Sequence, residues 1–97
     1  MDVRFDLDGD SFAWDADKAM SNLRKHGVRF EDAATVFADP LFIVVDASRN
    51  EEARDAVIGL DASGRILFVV HVEVESRFIR IISARRATRR EEGQYAQ

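Results

Sequence analysis

Ninety-seven residues with 46% apolar content make one globular domain (residues 1–97), and the formal net charge is -4. No apolar run approaches the roughly 20 residues of a membrane span, and the N-terminal residues carry acids where a signal peptide has an apolar stretch. With no cysteine, disulfides and thiolate metal sites are excluded, and the chain reads as cytoplasmic and free of membrane partners.

In chain order, Val3 to Leu7 and Ser11 to Trp14 read as extended segments around the turn sequence Asp8-Gly9-Asp10. Asp15 is a suitable N-cap for a helix over residues 16–25. Ala16, Ala19, Met20 and Leu23 form its expected buried stripe, and Gly27 ends it. A second helix is expected over residues 31–38, with Phe30, Ala33, Ala34 and Phe37 inward and Asp39-Pro40 as its stop. The period then changes to that of strands, over residues 42–45, 54–60, 65–73 and 78–84, with a turn at Asp61-Ala-Ser-Gly64. A terminal helix starts near Thr88. The expected class is α+β: an N-terminal extended strand, two helices, an antiparallel four-strand meander and a C-terminal helix, with the helices on one face of the sheet.

Charge is unevenly placed. Twelve of the fourteen basic residues are arginine; six of them lie between Arg77 and Arg90 with no acid among them, whereas the first twenty residues hold six aspartates. Such an arrangement is either solvated surface charge or a basic working face with an acidic flank. Strand alternation puts Phe78, Arg80, Ile82 and Ala84 on one face and Ile79, Ile81 and Ser83 on the other. Arg54 shares a face with Ala56, Ile58 and Leu60 in the same manner. Two arginines among apolar side chains are placed to project into one concavity, to solvate a strand edge, or to form half of an ion pair. Guanidinium groups bind phosphate in fork geometry, so an anion is the first ligand to consider.

The sequence holds no metal motif, no glycine-rich phosphate loop and no cysteine nucleophile, and it implies no cofactor. Metal-free phosphate chemistry remains. RNA carries its own nucleophile, the 2′-hydroxyl, so an enzyme needs to orient it, move two protons and stabilise charge on the phosphorane. His26 ends the first helix after Lys25 and is either an acid for proton transfer or a capping residue. His71 reads as a satisfied, partly buried side chain. Trp14 reads either as a core residue or as a stacking platform for RNA bases, and Arg86 as a further RNA contact.

Several phrases in this order resemble the BrnT family of type II toxins: Phe12-Ala-Trp-Asp15, Lys25-His-Gly-Val28, Val36-Phe-Ala-Asp-Pro40, Glu52 with Arg54, and Ile79-Arg-Ile-Ile-Ser-Ala-Arg-Arg-Ala-Thr88 followed by Glu91 and Tyr95. The resemblance spans about Phe12 to Tyr95 and leaves residues 1–11 as an N-terminal extension. It implies a RelE-like fold and a ribonuclease toxin that inhibits translation. It also implies neutralisation by a BrnA-like antitoxin with a DNA-binding domain, operator DNA being reached only through that antitoxin. By similarity the working residues are Lys25, His26, Arg54, Arg80 and Arg85, the three arginines holding the phosphate. Arg89, Arg90 and Tyr95 are then expected to face the antitoxin. Glu92, Gly93 and Gln94 depart from the family, which often has more arginine there. The alternative reading is a non-catalytic subunit that binds the antitoxin and tunes a DNA-binding repressor.

Overall fold

In a computed structural model that describes residues 1–97, the elements run β1 (Asp2–Leu7), β2 (Asp10–Asp15), α1 (Ala16–His26), α2 (Phe30–Ala34), a 3₁₀ turn (Thr35–Ala38), β3 (Ile43–Asp46), β4 (Asp55–Leu60), β5 (Ile66–Val74), β6 (Phe78–Arg86) and α3 (Arg89–Tyr95). The α+β class and the antiparallel pairing of β3 to β6 match expectation. The sheet itself is larger than a four-strand meander. It is six-stranded and mixed, in the order β1-β2-β6-β5-β4-β3. The N-terminal hairpin joins it through a short parallel pairing, Phe12 with Ile79 and Ala13 with Arg80. Alternation along residues 3–14 marks strands but carries no information about so distant a partner. No helix is long and apolar enough to cross a membrane.

Helix α1 starts and stops where the capping residues dictate. The Asp15 carboxylate accepts from the Lys18 amide (3.0 Å), and Gly27 takes the left-handed conformation (φ 70°) that lets its amide donate to the Leu23 carbonyl. Its buried face, however, is rotated from the expected stripe. Met20 and Leu23 are 59% and 37% exposed, while Asn22 is buried. The cause is the edge of β6. Only Ile79 and Arg80 of β6 pair with β2, so the backbone farther along has no strand neighbour on that side. Asn22 takes the neighbour's place: its amide oxygen accepts from the Ala84 N–H (3.0 Å), and its Nδ2 donates to the Ala84 carbonyl (2.8 Å) and the Val28 carbonyl (3.0 Å).

The second expected helix is split. Thr35 Oγ1 donates to the Asp32 carbonyl (2.6 Å) and accepts from the Ala62 amide (2.9 Å), and the chain tightens from α to 3₁₀ there. Gly59 lets this turn approach β4: a Cβ on Gly59 would lie 3.1 Å from Phe42 Cβ and 3.3 Å from Val36 Cβ. The core lies between the sheet and α1–α2, around Phe12, Trp14, Phe30, Val36, Leu67 and Ile81. Trp14 packs edge-on to Phe30 at 5.8 Å and is 2% exposed, so it is a core residue and not a stacking platform for RNA.

Two further corrections concern the opposite face of the sheet. A bulge between Val70 and His71 shifts the β5–β6 register: Ala84 opposes Val69, Ser83 opposes Val70, and Arg85 opposes Phe68. Ala84 is therefore buried with Ile81 on the core face, and Ser83 and Arg85 join Arg80 on the other. Simple alternation had set Ser83 against Arg80. Moreover, α3 does not join α1 and α2 on their face. It packs on β4, held to the Arg80 face by Glu91 against Arg85. Thr88 and Glu91 form a capping box at its start. Its last residue, Tyr95, donates to Asp39 (2.6 Å), which also accepts from the Leu60 and Leu41 amides.

His71 is buried beside Phe37 (5.0 Å between rings), and its Nδ1 donates to the Val69 carbonyl at 3.3 Å. Burial pushes its pKa down from 6.5, against the opposing pull of that carbonyl and of Asp55 and Glu73. The unfolded chain thus binds the proton more readily. The stability gained from neutral His71 is complete above the ordinary value of 6.5 and is lost as pH falls through the lower folded value. Thermal melts from pH 7 downward are expected to show a loss of midpoint beginning just below the ordinary histidine range. That first step should be absent in His71→Gln, with the later carboxylate step unchanged.

Candidate functional site

Strand parity from β4 carries back to Arg54, one residue before the strand, and aims it at the face of Phe68 and Val70. There Arg54 and Arg85 line one cavity of about 260 Å³, together with Ala47, Arg49, Phe68, Val70 and Ser83. Arg85 is held on three sides. Its guanidinium sits 4.3 Å over the Phe68 ring, forks onto Glu91 at 2.8 and 3.0 Å, and donates to the Arg86 carbonyl at 3.2 Å. The Glu91 hydrogen bonds raise the Arg85 pKa, and the same contact holds the Glu91 carboxyl below its ordinary range. Arg54 is less constrained: its one ionic partner is Glu52, at 2.8 Å and itself 67% exposed.

A second groove, about 180 Å³, runs between α1 and β6. It is lined by Lys18, Ser21, Asn22, Lys25, His26, Ile82 and Ser83. Ser83 lines both cavities, so Lys25 and His26 stand on one side of it and Arg54 and Arg85 on the other. Four of the five residues expected to do chemistry thus line two cavities that share one residue. Arg49, Lys18 and Lys25 have no carboxylate within ion-pair distance. The two cavities therefore keep free positive charge although the chain is acidic overall.

Arg80 is not part of it. It lies on the same face but lines neither cavity, and strand rise sets it roughly 15 Å from Arg85. Its guanidinium forks onto Asp2 of β1 at 2.9 and 3.1 Å, which raises its pKa and lowers that of Asp2. An ion pair is one of the roles expected for such an arginine, but strand periodicity cannot name a partner so far away in the chain. Arg86 opposes Leu67 and so belongs to the core face, away from the cavity. Arg89 and Arg90 are exposed in the first turn of α3, whereas Tyr95 is tied to Asp39 and anchors that helix.

Sequence reading missed Arg49, Ser83 and Lys18 as lining residues. Arg49 sits in the β3–β4 loop, shaped by its bridge to Glu52 and by left-handed Asn50 and Glu51. No periodicity marks such a position. Ser83 is legible only once the bulge is known. No three histidine or carboxylate side chains converge as a metal-holding group.

The two cavities carry a histidine and a lysine on one side of Ser83 and arginines on the other, side chains of the kind that can hold a phosphodiester. No curated protein matches the chain. Residues 14–91 match the family described as the ribonuclease toxin, BrnT, of type II toxin–antitoxin systems, and the chain belongs to that family.

Proposed function

We propose that this chain is a metal-independent endoribonuclease that cuts RNA through its own 2′-hydroxyl, with the scissile phosphate seated beside Ser83. The observation that supports this reading is the sharing of Ser83 by the two cavities, with Arg54 and Arg85 lining one and Lys25 and His26 the other. Arg54 and Arg85 contact the non-bridging oxygens and stabilise the charge that grows on the phosphorane. Arg49 adds an unpaired cation at the same rim. Lys25 and His26, across Ser83, serve the proton transfers at the 2′-hydroxyl and the 5′-leaving oxygen. Translation inhibition follows from cleavage of messenger RNA in the cytoplasm. A BrnA-like antitoxin with a DNA-binding domain neutralises the site by covering it, Arg89 and Arg90 lying exposed at its margin.

The test is incubation of purified chain with 5′-labelled RNA in excess EDTA. Cleavage products ending in 2′,3′-cyclic phosphate are the expected result. RNA binding without cleavage would instead favour a non-catalytic subunit that holds an antitoxin-type repressor. One observation leans that way: Arg54 and Arg85 already have carboxylate partners in the absence of RNA.

Asp2 gives a second, independent expectation. By holding Arg80 it withdraws one cation from any RNA lying along this face. Asp2→Asn should therefore steepen the dependence of log RNA affinity on log salt by about 0.7, the value for one added phosphate contact to a single strand. In an Arg80→Ala background the same change should have no effect on the slope.

A further inference from the structure

The core face of the sheet is only partly roofed. Past the 3₁₀ turn, where the helical layer ends, an open cavity of about 310 Å³ remains. Its floor includes Phe37, Phe42 and Val44, and Asp10, Asp55 and Glu73 stand around it. Phe42 is 38% exposed and Val44 54% exposed. None of the three carboxylates has an ion-pair partner. Val44 belongs to β3, the last strand of the sheet, whose outer edge leaves backbone donors and acceptors unpaired.

We infer that this place is a docking site for an extended segment of a partner protein, one that adds a strand to β3 and sets an arginine or lysine, beside an apolar side chain, into the acid-rimmed cavity. Backbone pairing would supply the binding mode, and the rim would choose the charge. The alternatives fit worse. RNA is repelled by three unpaired carboxylates. A second copy pairing edge to edge through β3 would bring only another acid-rimmed cavity and no cation to it, and the β1 edge carries Asp2 and Asp6. Membership of a toxin–antitoxin family implies a protein partner. The cavity is on the opposite face from Arg54, so this segment is distinct from whatever part of an antitoxin covers the RNA site, and it does not itself compete with RNA.

The experiment uses the full chain and an acetylated, amidated peptide of about eight alternating valine and arginine residues, with a valine–glutamate peptide as counterpart. Fluorescence anisotropy is expected to show binding of the first peptide only. Asp55→Asn with Glu73→Gln should weaken it by about tenfold. Asp17→Asn with Glu92→Gln, an equal change of net charge at exposed sites elsewhere, should change it less than about twofold. Val44→Asp should abolish it while the melting transition persists. Equal loss in both charge pairs, equal binding of the two peptides, or no binding of either would overturn the proposal. So would a concentration-dependent dimer that Val44→Asp disperses, since that would assign the edge to a second copy.

Discussion

Arg54→Ala is expected to lower RNA cleavage by on the order of 10²–10³-fold, the usual cost of removing one donor to a developing oxyanion. Most of the loss should fall on kcat, because the charge that Arg54 meets is greatest in the transition state. Arg54 is the cleaner probe of the two cavity arginines. Its ionic partner Glu52 is mostly exposed, and such pairs contribute about 0–1 kcal/mol, so the melting temperature should hardly move. Arg85 is different: it anchors Glu91, and with it the capping box of α3, so its loss mixes catalysis with folding. Arg54→Lys should recover part of the activity, since a lysine keeps the charge and loses the fork. Arg80→Ala should cost far less than Arg54→Ala, because Arg80 is spent on Asp2 and lies outside both cavities. If Arg54→Ala cleaves RNA at the wild-type rate with its fold intact, the assignment of the phosphate to this cavity fails. If Arg80→Ala proves the more damaging, the reacting centre lies farther along β6.

What the sequence made legible follows from the range of the forces involved. Asp15, Gly27 and Asp39-Pro40 act on their own few neighbours, so the bounds of α1 and the stop after the 3₁₀ turn could be read directly. The strands of the meander follow from alternation and turn chemistry, and they too are local. The joining of β2 to β6 is not local, and the six-stranded sheet was missed for that reason. The same limit explains the site. Lys25, His26, Arg54 and Arg85 were visible as residue types, but the bulge between Val70 and His71 decides which face Ser83 and Arg85 share. Without it, alternation separates Arg85 from Arg80 and hides Ser83 altogether. Arg80 shows the same limit from the other side. Its residue type and neighbours fit a phosphate ligand, and a carboxylate from a hairpin at the other end of the chain takes it instead.

Asn22 carries the largest expected effect on stability, and it connects the fold to the chemistry. It is the one side chain that replaces a missing strand along β6, and it is only 6% exposed. Asn22→Ala would leave the Ala84 N–H, the Ala84 carbonyl and the Val28 carbonyl without their partner in a buried place. Each unsatisfied group costs about 1–3 kcal/mol, so a total near ~3 kcal/mol is a conservative expectation. For a domain of this size that lowers the melting temperature by about 12–24 °C. Asn22→Asp should fare no better, since a carboxylate accepts from the Ala84 amide but cannot donate to either carbonyl. The functional consequence is separable from unfolding. Asn22 fixes the register of α1 on β6 and hence the position of Lys25 and His26 across Ser83 from the arginines. Assayed well below its melting temperature, Asn22→Ala should still bind RNA through Arg49, Arg54 and Arg85 while cleaving it more slowly. Wild-type turnover in the folded variant would mean that proton transfer does not depend on α1, and Lys25 and His26 would lose their proposed role.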